Sequence, residues 1–198
     1  MRTVVFLFAF VFPCWMPSQE AQEPILAPPA KRAFRYPGKI ETSYDQSKDL
    51  SIIFFKLLPI KALEDPKSPG EVQFSDEWLH LTAYFVHPGT QLITPQWVTI
   101  GFLSSTENPQ KYKEHALAMK IDGVWVNLGT MTVLSRTNYT RRARLPLVSE
   151  TMELPVPYKR FLSLVNAKKV KLRLGRVEFD LENEHAEAMR DLAAHTVP

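Results

Sequence analysis

The sequence predicts a mainly β fold, an antiparallel β-sandwich-like domain with two short helices, one of them C-terminal. After Gly38, short segments of alternating apolar and polar residues are separated by clusters of Pro, Gly, Asn and Asp, as in all-β domains. The 198 residues are 45% hydrophobic and carry a net charge of +3. These values exclude a disordered, collagen-like or coiled-coil protein, and we expect a single β-rich domain over residues 39–198.

The strands are predicted from alternation along the chain. Leu79, Leu81 and Phe85 alternate with mostly polar side chains, so one face of their segment is expected to lie in the core. Patterns of this kind predict nine strands, at residues 40–45, 50–58, 77–87, 96–104, 116–121, 124–128, 131–136, 168–174 and 177–181.

An Asp-Gly pair at residues 122–123 predicts the first hairpin, because both central residues of a type I′ turn need a positive φ. The resulting register places Leu117 opposite Leu128 on the inner face. On the outer face it places Lys120 opposite Trp125.

A Gly-Arg pair at residues 175–176 predicts a second hairpin with a type II′ turn. Its outer face sets Arg173 against Glu178, and Lys171 against Asp180. Opposite charges at cross-strand sites stabilise a register by up to about 1 kcal/mol each.

Two helices are predicted beside this hairpin. The first begins at Pro157, and Tyr158, Phe161, Leu162 and Val165 follow at helical spacing. The second begins near Asn183, a suitable N-cap residue, and runs toward the C-terminus.

The N-terminus indicates export. Arg2 precedes a ten-residue apolar run, residues 3–12, and Pro13 ends it, which is the pattern of a secretory signal peptide. The run is too short to cross a bilayer, which takes about 20 apolar residues. We therefore predict a signal peptide at residues 1–18, a Pro-rich linker at residues 19–38, and a mature chain without a transmembrane segment in the periplasm or outside the cell.

The single cysteine belongs to this export segment. Cys14 leaves no partner for a disulfide and excludes zinc sites built on several thiolates. A lipid anchor on Cys14 is the alternative to simple cleavage, although Phe12 and Pro13 stand where a lipobox has small residues.

Motifs for catalysis and for cofactors are missing from the sequence. It has neither a G-x-S-x-G elbow nor a glycine-rich phosphate loop, and its five histidines have no metal-ligand spacing, so we expect no cofactor and no metal. The histidines are interpreted as single surface residues. An alternative is a hydrolase whose site is assembled from the scattered residues His80, Tyr84, His87 and Asp45.

A basic stretch supplies the candidate binding residues. Residues 136–176 carry a net charge of +9, and within them Arg141, Arg142 and Arg144 form a loop without predicted cross-strand partners. Trp125, on the outer face of its hairpin, is a fourth candidate. Anionic lipid, a glycan or a protein surface are the partners considered, and the export signal makes nucleic acid an unexpected partner.

The order of these segments resembles a set of uncharacterised secreted bacterial proteins. The resemblance lies in residues 41–45 with Asp49, in the hairpin at residues 121–123, and in residues 174–181 before a C-terminal helix. It implies a β-sandwich-like protein of the cell envelope. The function expected first is therefore an exported, non-enzymatic binding protein; the hydrolase and an anionic-surface binder that uses residues 136–144 are the alternatives.

Overall fold

The structure is a computed structural model that describes residues 40–60, 77–108, 110–139 and 147–196. The predicted signal peptide and the linker lie outside these residues. The elements, in chain order, are β1 (Ile40–Asp45), β2 (Leu50–Phe55), β3 (Leu58–Ile60), β4 (Trp78–Pro88), β5 (Trp97–Thr106), β6 (Ala116–Ile121), β7 (Val124–Thr130), β8 (Thr132–Tyr139), β9 (Leu147–Pro157), α1 (Tyr158–Asn166), β10 (Val170–Leu174), β11 (Val177–Asp180) and α2 (Asn183–Ala194).

The strands form two antiparallel sheets, which confirms the predicted fold class. The larger sheet has seven strands in the order β1-β2-β4-β5-β9-β8, and β3 also pairs with β4. The smaller sheet has the order β11-β10-β6-β7. Both helices contact the larger sheet, α2 at β1, β2 and β4, and α1 at β5 and β9.

One continuous core lies between these layers. Leu81, Phe85 and Phe102 from the larger sheet, Leu172 from the smaller sheet and Met189 from α2 are all buried in it. The side chains that alternate with the buried ones therefore form an outer face on each sheet, turned away from the core.

The chain passes from the smaller sheet to the larger one between β7 and β8. Gly129 has a φ of 132°, and a Cβ atom there would lie 3.5 Å from the Leu154 side chain. The Met131 N–H donates a 2.8 Å hydrogen bond to the carbonyl of His115. The crossing thus brings the edge strand of one sheet against a central strand of the other.

Strand β9 lies in the interior of the larger sheet and was not among the predicted strands. Pro155 and Pro157 are unusual residues for a central strand. The structure explains both prolines. β8 pairs with β9 only as far as the Thr132–Glu153 pair, so among the described residues β9 pairs with β5 alone beyond Glu153. Proline is tolerated there because it needs no N–H on the open side.

The hairpin registers are largely confirmed. Lys120 pairs with Trp125, and Lys171 pairs with Asp180, as expected. The expected pairing of Leu117 with Leu128 is wrong, because a bulge between Leu117 and Ala118 shifts the register and puts Gly129 opposite Leu117.

The helices begin close to the predicted residues. Pro157 precedes the first helical residue of α1, and Glu182 rather than Asn183 occupies the N-cap position of α2. The buried side of α2 includes Ala188 and Leu192.

The interpretation of the histidines as surface residues is wrong for two of them. His87 and His185 are 2% and 3% exposed. The Nδ1 of His87 lies 3.1 Å from the carbonyl of Pro88, and the Nε2 of His185 lies 3.0 Å from the carbonyl of Pro59. These hydrogen bonds reduce the cost of burying a polar ring.

Candidate functional site

The predicted arginine loop falls mostly outside the described residues. Arg141, Arg142 and Arg144 belong to the segment 140–146, which the structure does not describe. Arg136 is described, and its Nε lies 3.5 Å from a carboxylate oxygen of Glu150. Residues 136–139 belong to β8, so the expectation of a loop is wrong for them, and Arg136 already has an acidic partner.

Trp125 lies where the hairpin register predicts, on the outer face of the smaller sheet. The guanidinium carbon of Arg173 is 4.5 Å from the centre of its ring, and Nζ of Lys120 is 5.9 Å away. Ala118 on β6 is the cross-strand neighbour of Arg173, and the Arg173 side chain crosses β6 there to reach the ring. Ala118 is buried although it lies on the outer face. Two cations thus lie close enough to the indole for cation–π attraction.

The ion pairs of the β10–β11 hairpin differ from the pairs that face each other in its register. Glu178 is opposite Arg173 in the register, but its carboxylate lies 3.7 Å from Nζ of Lys171. Asp180 lies 3.8 Å from the same atom. Lys171 therefore pairs with both acids, and Arg173 turns toward the tryptophan.

The four residues of the hydrolase alternative do not share one site. His80 and Tyr84 lie on the outer face of the larger sheet, whereas His87 is buried on the opposite side of the same strand. Asp45 is the last residue of β1, beside the β1–β2 turn, where it accepts hydrogen bonds from the N–H and the hydroxyl of Ser47. Those bonds lower the pKa of Asp45, as expected for a turn carboxylate.

A buried carboxylate lies at the end of the larger sheet where β9 begins. Glu150 is 4% exposed and has Nε2 of His115 and Nε of Arg136 within 3.5 Å. His115 has a φ of 46°, which is uncommon for a residue with a side chain. We interpret Arg136 as the cation that compensates this buried acid, because a carboxylate is costly to bury without a cationic partner.

Glu77 occupies the same end of the sheet. Burial raises the pKa of its carboxyl, but hydrogen bonds from Lys111, Thr106 and the N–H of Glu107 outweigh burial and lower the pKa overall. The Lys111 ammonium is 2.7 Å away. A depression of about 140 Å³ beside it is lined by Gln110, Lys111, Lys113, Glu114 and Arg176. Neither Glu150 nor His115 lines this depression.

The outer face of the larger sheet carries a hydrogen-bonded pair near its centre. The Tyr84 hydroxyl on β4 donates a 2.8 Å hydrogen bond to Glu153 on β9, across the intervening β5. Gly101 on β5 leaves the space between them open. Burial and the neighbouring Glu153 carboxylate raise the pKa of Tyr84 above its usual value, which already lies well above neutral pH.

Beside this pair lies a group of exposed apolar side chains, which we call the Trp97 patch. Ile52 pairs with Val86 across β2 and β4, and the register of β4 and β5 brings Trp97 to the same end of the same face. Leu92 and Ile93 belong to the connection between those two strands. The five side chains are 37% to 54% exposed: Ile52, Val86, Leu92, Ile93 and Trp97.

Trp97 is the first residue of β5. Ile52 and Val86 could have been assigned to outer faces from alternation alone. Their proximity to Trp97 depends on the strand order β2-β4-β5, which alternation does not reveal.

Comparisons with protein-family models, curated proteins and solved structures found no match to the chain. The helices within the described ranges are too short and too polar to cross a membrane. Among the described residues, no three His, Cys, Asp or Glu side chains are grouped so that they could hold a metal ion. The geometry of the surfaces is therefore the basis for assigning a function.

Proposed function

We propose that this protein is an exported, non-enzymatic interaction module that binds a protein partner through the Trp97 patch. The observation that carries the proposal is the exposure of Ile52, Val86 and Trp97 as neighbours on one sheet face. Neighbouring exposed apolar side chains bordered by polar groups are typical of interaction sites.

The side chains in and around the Trp97 patch are arranged like those of a protein interface. Trp97 supplies a large apolar anchor of the type that dominates binding energy. The Tyr84–Glu153 pair adds polar groups at the border, where hydrogen bonds to a partner cost little desolvation. Interfaces commonly combine an apolar centre with such a polar rim.

A protein is favoured over a glycan as the occupant of this patch. Ile52, Val86, Leu92 and Ile93 are aliphatic side chains without hydrogen-bonding groups. A carbohydrate site needs several polar groups around its aromatic platform to satisfy the sugar hydroxyls. Aliphatic side chains match the apolar centre of a protein interface instead.

Export remains part of the proposal and is supported by the N-terminal sequence. Arg2, the apolar run at residues 3–12 and Pro13 form the pattern of a secretory signal. The binding function is preferred to the hydrolase because His80 and Tyr84 lie on the opposite side of β4 from His87.

Site-specific photo-crosslinking in the producing cell tests the proposal. A photoreactive p-benzoylphenylalanine replaces Trp97 or, in a second variant, Val86. A control variant carries it at Lys159, an exposed residue of α1. We expect irradiation to give the same higher-mass protein adduct from positions 97 and 86, and no such adduct from position 159.

Equal melting temperatures of the three variants show that each is folded. The proposal is wrong if positions 97 and 86 give no protein adduct, or if position 159 gives the same adduct with the same yield. An adduct between two copies of this chain would identify the partner as a second copy.

A further inference from the structure

The turn between β6 and β7 projects an apolar residue into solvent. Asp122 and Gly123 form the turn with φ angles of 46° and 97°. Val124 follows and is 66% exposed, the largest exposure among the large hydrophobic side chains that the structure describes. Trp125 comes next and is half-buried. Two consecutive apolar residues thus stand at the end of the smaller sheet.

Basic side chains surround this turn. Lys168 and Lys169 are exposed, and their backbone N–H groups donate hydrogen bonds of 3.0 Å and 3.1 Å to Oδ1 of Asp122. Those bonds fix the two lysines beside the turn and engage the acid of the turn itself. Lys120 and Arg173 lie over the Trp125 ring.

The balance of charge at this end is positive. Glu178 and Asp180, the acids of the neighbouring hairpin, both lie near Lys171. Within the described part of the chain, no carboxylate forms an ion pair with Lys120 or Arg173. The surface made of Lys120, residues 122–125, Lys168, Lys169 and Arg173, which we call the Trp125 tip, therefore carries four cations and one carboxylate, that of Asp122.

We propose that the Trp125 tip docks onto an anionic lipid bilayer. Val124 and Trp125 would enter the interfacial layer, where the amphipathic indole ring is favoured. Lys120, Lys168, Lys169 and Arg173 would face the phosphate groups and gain from the negative surface potential. An exposed valine at the tip favours a bilayer over an acidic polysaccharide, because a polysaccharide gives it no apolar environment.

This surface is separate from the Trp97 patch. The Trp125 tip belongs to β6, β7 and the residues before β10 in the smaller sheet, whereas the Trp97 patch lies on the larger sheet. A membrane-bound module could then hold a protein partner on its other sheet.

Vesicle co-sedimentation of residues 19–198, the chain expected after signal removal, tests the proposal. The probes are phosphatidylcholine vesicles with and without phosphatidylglycerol. We expect binding only to the phosphatidylglycerol vesicles, with weakening as salt is added. Lys168→Gln/Lys169→Gln should weaken binding about 25-fold, roughly fivefold for each charge. Val124→Ser should weaken it as well, with the melting temperature unchanged.

The matched control is Lys159→Gln/Arg160→Gln, which removes two exposed cations from α1. It should leave vesicle binding within twofold of the unchanged chain. Absence of binding to phosphatidylglycerol vesicles would overturn the proposal, as would an equal loss in both double variants. Binding to polygalacturonate but to neither vesicle would also overturn it and would identify an acidic glycan site.

Discussion

At the centre of the larger sheet's outer face, Gly101 allows the side chains of its neighbours to meet. A Cβ atom there would lie only 2.8 Å from the Cγ2 methyl of Thr82. Thr82 cannot easily turn away, because its hydroxyl donates a 2.8 Å hydrogen bond to the carbonyl of Phe55. The glycine is required by close approach, since its φ is not in the left-handed region.

We predict that Gly101→Ala lowers the free energy of unfolding by about 1–2 kcal/mol through overpacking. Thr82→Ser removes the obstructing methyl and keeps the hydroxyl. The free energy of unfolding of the double variant should therefore be about 1 kcal/mol higher than the sum of the two single effects predicts. Denaturant unfolding of the four proteins measures this coupling. Strict additivity would contradict the steric explanation.

The histidines show what the sequence does and does not reveal about a residue. His87 has the same parity along β4 as the buried Leu81 and Phe85, so its inward direction followed from alternation. Its burial was missed because histidines were interpreted from their usual exposure. His185 was not predictable, because its carbonyl partner at Pro59 is 126 residues away in sequence.

Among the elements, the local ones were predicted best. The β10–β11 hairpin was identified with its register because its turn and cross-strand charges lie within a dozen residues. The β6–β7 bulge was missed because nothing in an Asp-Gly turn indicates a shift further along the ladder. β9 was missed because its prolines are explained only by the point at which β8 stops pairing.

The position of proline along β9 gives a prediction at this scale. In a β-strand, the N–H groups of residues an even number of positions apart point to the same side of the strand. The N–H of Thr151 therefore points to the side of β9 that the nitrogen of Pro155 faces, which has no neighbouring strand at Pro155 among the described residues. At Thr151 that side is occupied by β8, through Ser135. Thr151→Pro should therefore destabilise the protein by about 3 kcal/mol or more.

Pro155→Thr is the matched control and should change the free energy of unfolding by less than about 1 kcal/mol, because threonine suits a strand. Thermal unfolding of both variants makes the comparison. Similar melting temperatures for the two variants would show that β8 does not depend on the N–H of residue 151.

For the whole molecule, the two sheets have different outer surfaces. The larger sheet offers an apolar patch with a polar pair at its border, and the smaller sheet offers a basic tip. The candidate Trp125 was identified from sequence because its hairpin is local. The Trp97 patch combines residues from β2, β4 and β5, so it emerges only when the strand order is known.

Hydroxyl-radical footprinting in the producing cell tests the central proposal, that a protein covers the Trp97 patch, most directly. Trp97 is 54% exposed in the isolated chain, and Trp78 is 37% exposed on the same sheet face. Trp78 pairs with Ser105, which is eight residues from Trp97 along β5. At the rise of an antiparallel strand, this places the two tryptophans about 27 Å apart along the sheet. A standard interface centred on Trp97 extends about 16 Å and leaves Trp78 uncovered.

We therefore expect oxidation of Trp97 to fall several-fold in the cell relative to the purified chain, while oxidation of Trp78 changes little. Equal oxidation of Trp97 in the two samples would contradict the account.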